Sequence, residues 1–376
     1  MNNSLAPTYQ KLIGRMWVLW YSVSNSYSIV DTDFKFLIDS YLKACSKIEF
    51  NSILSKEEPN VDIDQITNTI EQYLNNCNIP KVKDVIRTST FNGKKQTITI
   101  LYRINNKIVQ INYDSELVQK TIHPAIAHYS IKETQLTDII YDIYLEDDYL
   151  FLFEDQQLIT SAPKREYHKI QGKFTMLLLC AIHDKVEDDW ISTFHGSTLT
   201  DGNSSILFAG NSGKGKSTLC ALLTTKGFHL LADDVSPMLY KNQDFYFNPA
   251  AISIKEGAFK ILEKDIQGFD NLPIVKFNKA KGYLKYLPCE HPNKLHYPCF
   301  ATILVNYKAN TTTAVRKVTV KEMLETLIPD SWISPNPDYA KAFLNWLENI
   351  EILELTYSDI DSAVQEISNL FKSQYK

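Results

Sequence analysis

No apolar run in this chain is long enough to cross a bilayer. The longest, Phe174–Ile182, falls far short of the roughly twenty residues a helical span needs. Clustered cysteine is also missing. Cys45, Cys77, Cys180, Cys220, Cys289 and Cys299 include no Cys-x-x-Cys pair and no histidine at zinc spacing, so neither a disulfide framework nor a metal knuckle is expected, only buried thiols. Positive charge is in deficit: 39 Lys and Arg against 44 Asp and Glu give a formal net charge of −5 and a pI near 5.9. Such a balance argues against nucleic acid as a partner, because binding it needs a basic face to neutralise phosphates. The opening residues, Met-Asn-Asn-Ser-Leu-Ala-Pro, lack a basic region leading into an apolar one, so no secretory signal is expected and a cytoplasmic location is. There is no internal repeat and no low-complexity tract.

What is present describes a folded chain of two or three domains: 376 residues, 44% hydrophobic, with 21 Tyr and 18 Phe. Met16–Val30 is predicted as a hairpin around Ser24-Asn25-Ser26. Two helical stripes follow, Phe34, Leu37, Ile38, Tyr41, Leu42 and then Ile63, Ile66, Ile70, Tyr73, Leu74, separated by a polar connection at 55–60. The segment 75–83, with Pro80, closes a first unit, set at residues 1–80. From about Val82 alternation takes over, with a hairpin at 97–113 about Asn105-Asn106-Lys107, further strands at 139–145 and 149–153, and an apolar helix over 164–183. This β-rich part, 81–190, leads into a nucleotide-binding part, 191–376, and the two are read as one second domain.

The centre of the reading is Ile206–Thr218, an apolar strand running into Gly210-Asn211-Ser212-Gly213-Lys214-Gly215-Lys216-Ser217-Thr218. Gly-x-x-x-x-Gly-Lys-Ser at this position is a phosphate-binding loop. Its glycines let backbone N–H groups approach a polyphosphate, Lys216 meets the outer phosphates, Ser217 offers a hydroxyl to Mg²⁺, and the helix that follows turns its positive end to the anion. After that helix, Phe228–Ala232 is predicted as the next strand, ending in Asp233-Asp234. Carboxylates there can hold Mg²⁺ or take the proton of an attacking hydroxyl, and the sequence does not divide the two roles. His195-Gly196 precedes the loop strand by an apparent hairpin through Asp201-Gly202-Asn203, which would bring His195 near the same end.

On these residues the chain resembles the HPr kinase-like proteins, related in fold to ATP-dependent phosphoenolpyruvate carboxykinases. The likeness runs through Phe194-His195-Gly196, Leu207–Thr218 and Lys226–Asp234, and continues through 248–256, 281–288 and 355–361. It implies that Asp233, Asp234 and His195 are catalytic, that ATP and Mg²⁺ are used, that Lys255 contacts phosphate or substrate, and that the chain self-assembles. The stretches after Asp234 look like HPr kinase-related proteins of peptide-modification pathways. Two departures count against HPr kinase itself: Thr218 stands where that loop continues with Glu, and no Glu-x-Arg-Gly segment follows. Control of sugar uptake and the reverse phosphorylase activity are therefore not expected. Residues 18–38 are similar to PqqD-like domains, whose small sheet and three helices, winged-helix-like, bind a leader peptide as an added strand.

The expectation is an α/β chain, α+β overall, with a P-loop HPr kinase/carboxykinase-like C-terminal domain behind a small sheet-plus-three-helix domain. Its expected activity is phosphorylation of a Ser or Thr hydroxyl on a peptide or small protein, such as a ribosomally made precursor. The alternatives are a kinase of a free amino acid or sugar, and a nucleotide-dependent binding protein or switch. A transporter signature and the guanine-reading Asn-Lys-x-Asp are both missing from the sequence.

Overall fold

Alternation in Met16–Tyr21 sends Trp17, Leu19 and Tyr21 to one face and Met16, Val18 and Trp20 to the other, and both faces are covered. The computed structural model describes residues 3–57, 62–82, 84–133, 136–277 and 282–374. In it, strands Tyr9–Ile13, Met16–Tyr21 and Ser26–Val30 pair antiparallel in chain order. Helices Thr32–Lys43, Lys47–Glu57 and Ile63–Cys77 follow, the first and third capped by Asp31 and Asp62. Leu19 and Tyr21 pack with Ile38, Tyr41, Phe50, Ile70 and Leu74. Val18 and Ile13 pack with Phe343 and Trp346 of the later helix Pro337–Asn349, so this unit sits directly on the rest of the chain.

The middle helix corrects the polar connection expected at 55–60. The helix carries on through Glu57, started by Ser46, whose hydroxyl accepts the Glu49 N–H at 3.1 Å. Residues 58–60 of that connection lie outside the described residues, as do Lys83 of the closing segment and Lys281 of the resemblance.

A six-stranded sheet comes next, in the order Ser130–Ile131, Ile98–Ile104, Lys107–Tyr113, Ile139–Glu146, Tyr149–Glu154, Gln157–Pro163. Helix Tyr167–His183 covers one face, burying Ile170, Phe174 and Leu178 against Ile111, Tyr141 and Ile143. The expected hairpin turn is there, with Asn105 in the left-handed region at φ 52°. Strand structure begins at Ile98 and not at Val82, so the alternation read from Val82 starts too early.

The third sheet has ten strands and carries the loop. Its long strand, His296–Tyr307, runs parallel to both Ser205–Ala209 and Glu351–Tyr357. Beyond Ser205–Ala209 come Ser197–Thr200 and then His229–Ala232, each antiparallel to its neighbour. The first residues of the long strand instead lead through Asp244–Tyr246 and Ser236–Leu239 to Trp190–Phe194. A small separate sheet joins Ile252–Lys255, Tyr283–Leu287 and Val275–Lys276. The chain is thus a mixed α+β fold. No helix among the described residues is long and apolar enough to cross a membrane.

Candidate functional site

Strand Ser205–Ala209 is buried along its whole length, so the chain can leave it only at the sheet edge, where Gly210 turns it. A Cβ at Gly210 would stand 3.0 Å from the Val305 carbonyl oxygen of the neighbouring strand. Gly215, at φ 86°, is in the left-handed region, and a Cβ on it would lie 2.7 Å from the Tyr357 hydroxyl oxygen. Both motif glycines are therefore demanded by backbone and packing. Helix Lys216–Thr224 starts immediately after.

Residues 211–214 are exposed and 215–218 half-buried. Among the described residues, the amides of Gly213, Gly215, Lys216 and Ser217 have no acceptor. The Lys216 ammonium and the Ser217 hydroxyl likewise have no hydrogen bond there. Unpaired donors at a helix N-terminus form a ready anion site. Two more cations edge the loop: Lys255 Nζ lies 2.5 Å from Ser212 Oγ, and Lys214 Nζ lies 3.3 Å from Asn306 Oδ1.

Asp233 and Asp234 follow strand His229–Ala232. That strand is not adjacent to the loop strand; Ser197–Thr200, joined to the loop strand by the hairpin expected through 201–203, lies between them. Being antiparallel to the same intervening strand, the two run parallel, and the aspartates reach the same end of the sheet as the loop. The intervening strand supplies a residue that the sequence reading missed. Ser197 donates its hydroxyl to Asp233 Oδ1 at 2.5 Å, while the Ser253 amide donates to Oδ2 at 3.1 Å. Asp233 is 2% exposed. Burial pushes its carboxyl above the ordinary aspartate range, with Lys216 opposing, Asp234 adding to the rise, and the Ser197 and Ser253 bonds opposing.

Asp234 differs in every respect. Its side chain is 57% exposed, its φ is 64°, and its Oδ1 lies 3.3 Å from Nδ1 of a partly exposed His195. His195 is held from behind, its amide donating to Ser331 Oγ at 2.9 Å. Gly196 beside it is required, since a Cβ there would come within 2.8 Å of the Phe208 carbonyl oxygen and of Leu207 Cδ1. Tyr286 pairs across from Ser253, and burial, then Asp234 and Tyr167, push its hydroxyl up to about 12. Cys220 and Cys289 are shifted upward too, chiefly by burial, with Asp233 contributing to both. No spacing signal marked Ser197, Ser253 or Tyr286; their neighbourhood exists only in the folded sheet.

The structure thus brings Gly210–Thr218, Lys255, Asp233, Asp234 and His195 to one edge. Donors and cations lie on one side and carboxylates on the other, an arrangement able to hold a charged phosphate ester beside proton acceptors. A separate open groove of about 450 Å³ lies against the six-stranded sheet, where Lys107 pairs with Asp184 at 2.7 Å and Glu187 with Lys173. Among the described residues no cluster of three or more His, Cys, Asp or Glu forms a metal cage.

No protein-family model matches the chain, and no curated protein sequence does. Among solved structures, the Hpr(Ser) kinase/phosphatase from Coxiella burnetii is 11% identical, with 49% of this chain and 99% of that chain covered and a TM-score of 0.24. A likeness of that size adds nothing to the geometry above.

Proposed function

We propose that this chain is an ATP- and Mg²⁺-dependent phosphotransferase of HPr kinase-like type, acting on a Ser or Thr hydroxyl of a peptide or small protein. The observation that carries the reading is the loop 210–217: among the described residues the amides of Gly213, Gly215, Lys216 and Ser217 and the Lys216 ammonium have no acceptor, and they share a sheet edge with the buried, basic Asp233 carboxylate.

The residues fit the nucleotide: Gly210 and Gly215 leave a cradle that side chains would fill, and the amides of Gly213, Gly215, Lys216 and Ser217 have no acceptor among the described residues. They also fit Mg²⁺, which usually takes one or two protein oxygens and completes its shell from phosphates and water. Ser217 and the exposed Asp234 would hold it. Bound MgATP supplies the transferable phosphoryl group and screens its charge. The chain's own residues do the rest. The loop amides, Lys216 and Lys255 bind and orient the polyphosphate. Asp233, whose raised basicity suits a general base and whose oxygens keep lone pairs beyond those used by Ser197 and Ser253, accepts the proton of the acceptor hydroxyl. His195 orients Asp234.

The acceptor class follows from the first unit. Residues 1–80 are proposed as a PqqD-like peptide reader and 81–376 as the kinase domain, 191–376 being its catalytic part. A small sheet with its three helices, seated on helix Pro337–Asn349, supports this assignment. The test is incubation of the purified chain with γ-labelled ATP, Mg²⁺ and candidate precursor peptides. Label is expected on a peptide Ser or Thr and is expected to fall at least about a hundredfold in Lys216→Ala. Label on a metabolite, or release of free phosphate alone, would overturn the peptide acceptor.

A further inference from the structure

The loop is buttressed from outside the motif by the ends of the two parallel strands, His296–Tyr307 and Glu351–Tyr357. Tyr307 donates its amide to the Lys214 carbonyl at 3.1 Å. The Tyr357 ring is buried, edge-on to Tyr307 with centroids 5.5 Å apart, and its hydroxyl donates to the Gly215 carbonyl at 3.3 Å. That same carbonyl accepts the Leu219 amide at 2.8 Å, the first bond of the helix. In a planar trans peptide the C=O and the following N–H point in opposite directions. Fixing the Gly215 carbonyl toward Tyr357 and Leu219 therefore aims the Lys216 N–H out of the helix end, into the loop.

We propose that Tyr357 is a positioning residue for the phosphate loop: its hydroxyl sets the Gly215–Lys216 peptide so that the amide faces the bound anion. The proposal rests on the nucleotide reading above and adds to it a residue 142 positions away in sequence. It also accounts for the size of residue 215, because the hydroxyl that orients the peptide occupies the space a Cβ would need, at 2.7 Å.

The test is a titration of the full chain with Mg²⁺ and the fluorescent analogue mant-ATP, using wild type, Tyr357→Phe, Gly215→Ala and the double variant. Tyr357→Phe is expected to weaken binding about three- to tenfold, the range of one lost hydrogen bond. Gly215→Ala is expected to bind far more weakly, and the double variant to bind more tightly than Gly215→Ala alone, because removing the hydroxyl relieves the clash. The recovery reports the steric contact; a residue that served only as packing would keep wild-type affinity in Tyr357→Phe, which retains the ring and loses only the hydroxyl. Wild-type affinity in Tyr357→Phe, or losses that simply add in the double variant, would overturn the role of Tyr357 while leaving the nucleotide site standing. Failure of the wild type itself to bind would overturn the nucleotide reading, and this proposal with it.

Discussion

The strand His296–Tyr307 belongs to two different neighbourhoods. Its first residues pair antiparallel with Asp244–Tyr246, while Ala301 onward runs parallel to Ser205–Ala209 on one side and Glu351–Tyr357 on the other. In the antiparallel half His183, Tyr246 and His296 of the aromatic cluster have hydrogen-bond partners, while Trp190 Nε1 has none among the described residues. His183 Nε2 meets the Phe247 carbonyl at 2.7 Å, Trp190 and Tyr246 sit edge to face at 5.4 Å, and His296 stacks on Tyr246 while pairing with Asp244 at 2.6 Å. In the parallel half the loop strand stops opposite Leu304, while its neighbours run on to Tyr307 and Tyr357. At that edge the amides of Gly213, Gly215, Lys216 and Ser217 have no acceptor among the described residues. The contrast separates two histidines. His183 is packed among rings, whereas His195 stands partly open beside Asp234. Chemistry is expected where hydrogen-bonding groups are left over, and stability where they are used up.

Three experiments press on that contrast. The largest effect is expected from Asp233→Asn, which keeps the shape and removes the base: label transfer should fall about 10²- to 10⁴-fold, with mant-ATP affinity changed only severalfold. Transfer within tenfold of wild type would deny Asp233 its role. Next is Trp190→Ala, which empties a fully buried site in the antiparallel half. Denaturant unfolding should show a loss of about 3–5 kcal/mol, while the folded protein binds mant-ATP as before. Weakened binding would show that the halves are not separable.

The smallest effect concerns acid. Burial lowers His183 to about 4; His296, Lys185 and its surroundings oppose its proton, while the Phe247 carbonyl and Asp184 favour it. A value below that of the unfolded chain, about 6.5, means that stability is fully present above pH 6.5 and is lost as pH falls through 4. His183→Gln, which keeps a donor for the Phe247 carbonyl, should flatten the fall of the denaturation midpoint between pH 6.5 and 4. The flattening should be partial, since His128, also lowered to about 4 by burial, titrates in the same window. An unchanged slope would place the acid sensitivity elsewhere.

Local pattern carried much of this. The hairpins at 16–30 and 97–113, the helix over 167–183 and the strand-loop-helix at 205–224 each have their signal within a few residues. Helix Lys47–Glu57 had one too, Ser46 three residues before Glu49, but its apolar stripe is weak and the polar tail hid it. Helix Pro337–Asn349 has its signal in Asn336 as a cap and Pro337 at the first turn. Pairing order was out of reach. The turn at 201–203 sets the Ser197 strand beside the loop strand, but nothing near it tells that the strand before Asp233 pairs along its other edge, or that the Ser197 hydroxyl holds that carboxylate. Tyr357 and Gly215 meet only because the loop strand stops opposite Leu304 while its two neighbours run on to Tyr307 and Tyr357.

Hydrogen–deuterium exchange of the full chain, with and without saturating MgATP, tests the division most directly. Amides 210–218 should slow markedly on addition of nucleotide, while those of Ser236–Leu239 and Asp244–Tyr246 keep their rates. Unchanged exchange through 210–218, or protection confined to the antiparallel half, would contradict the account.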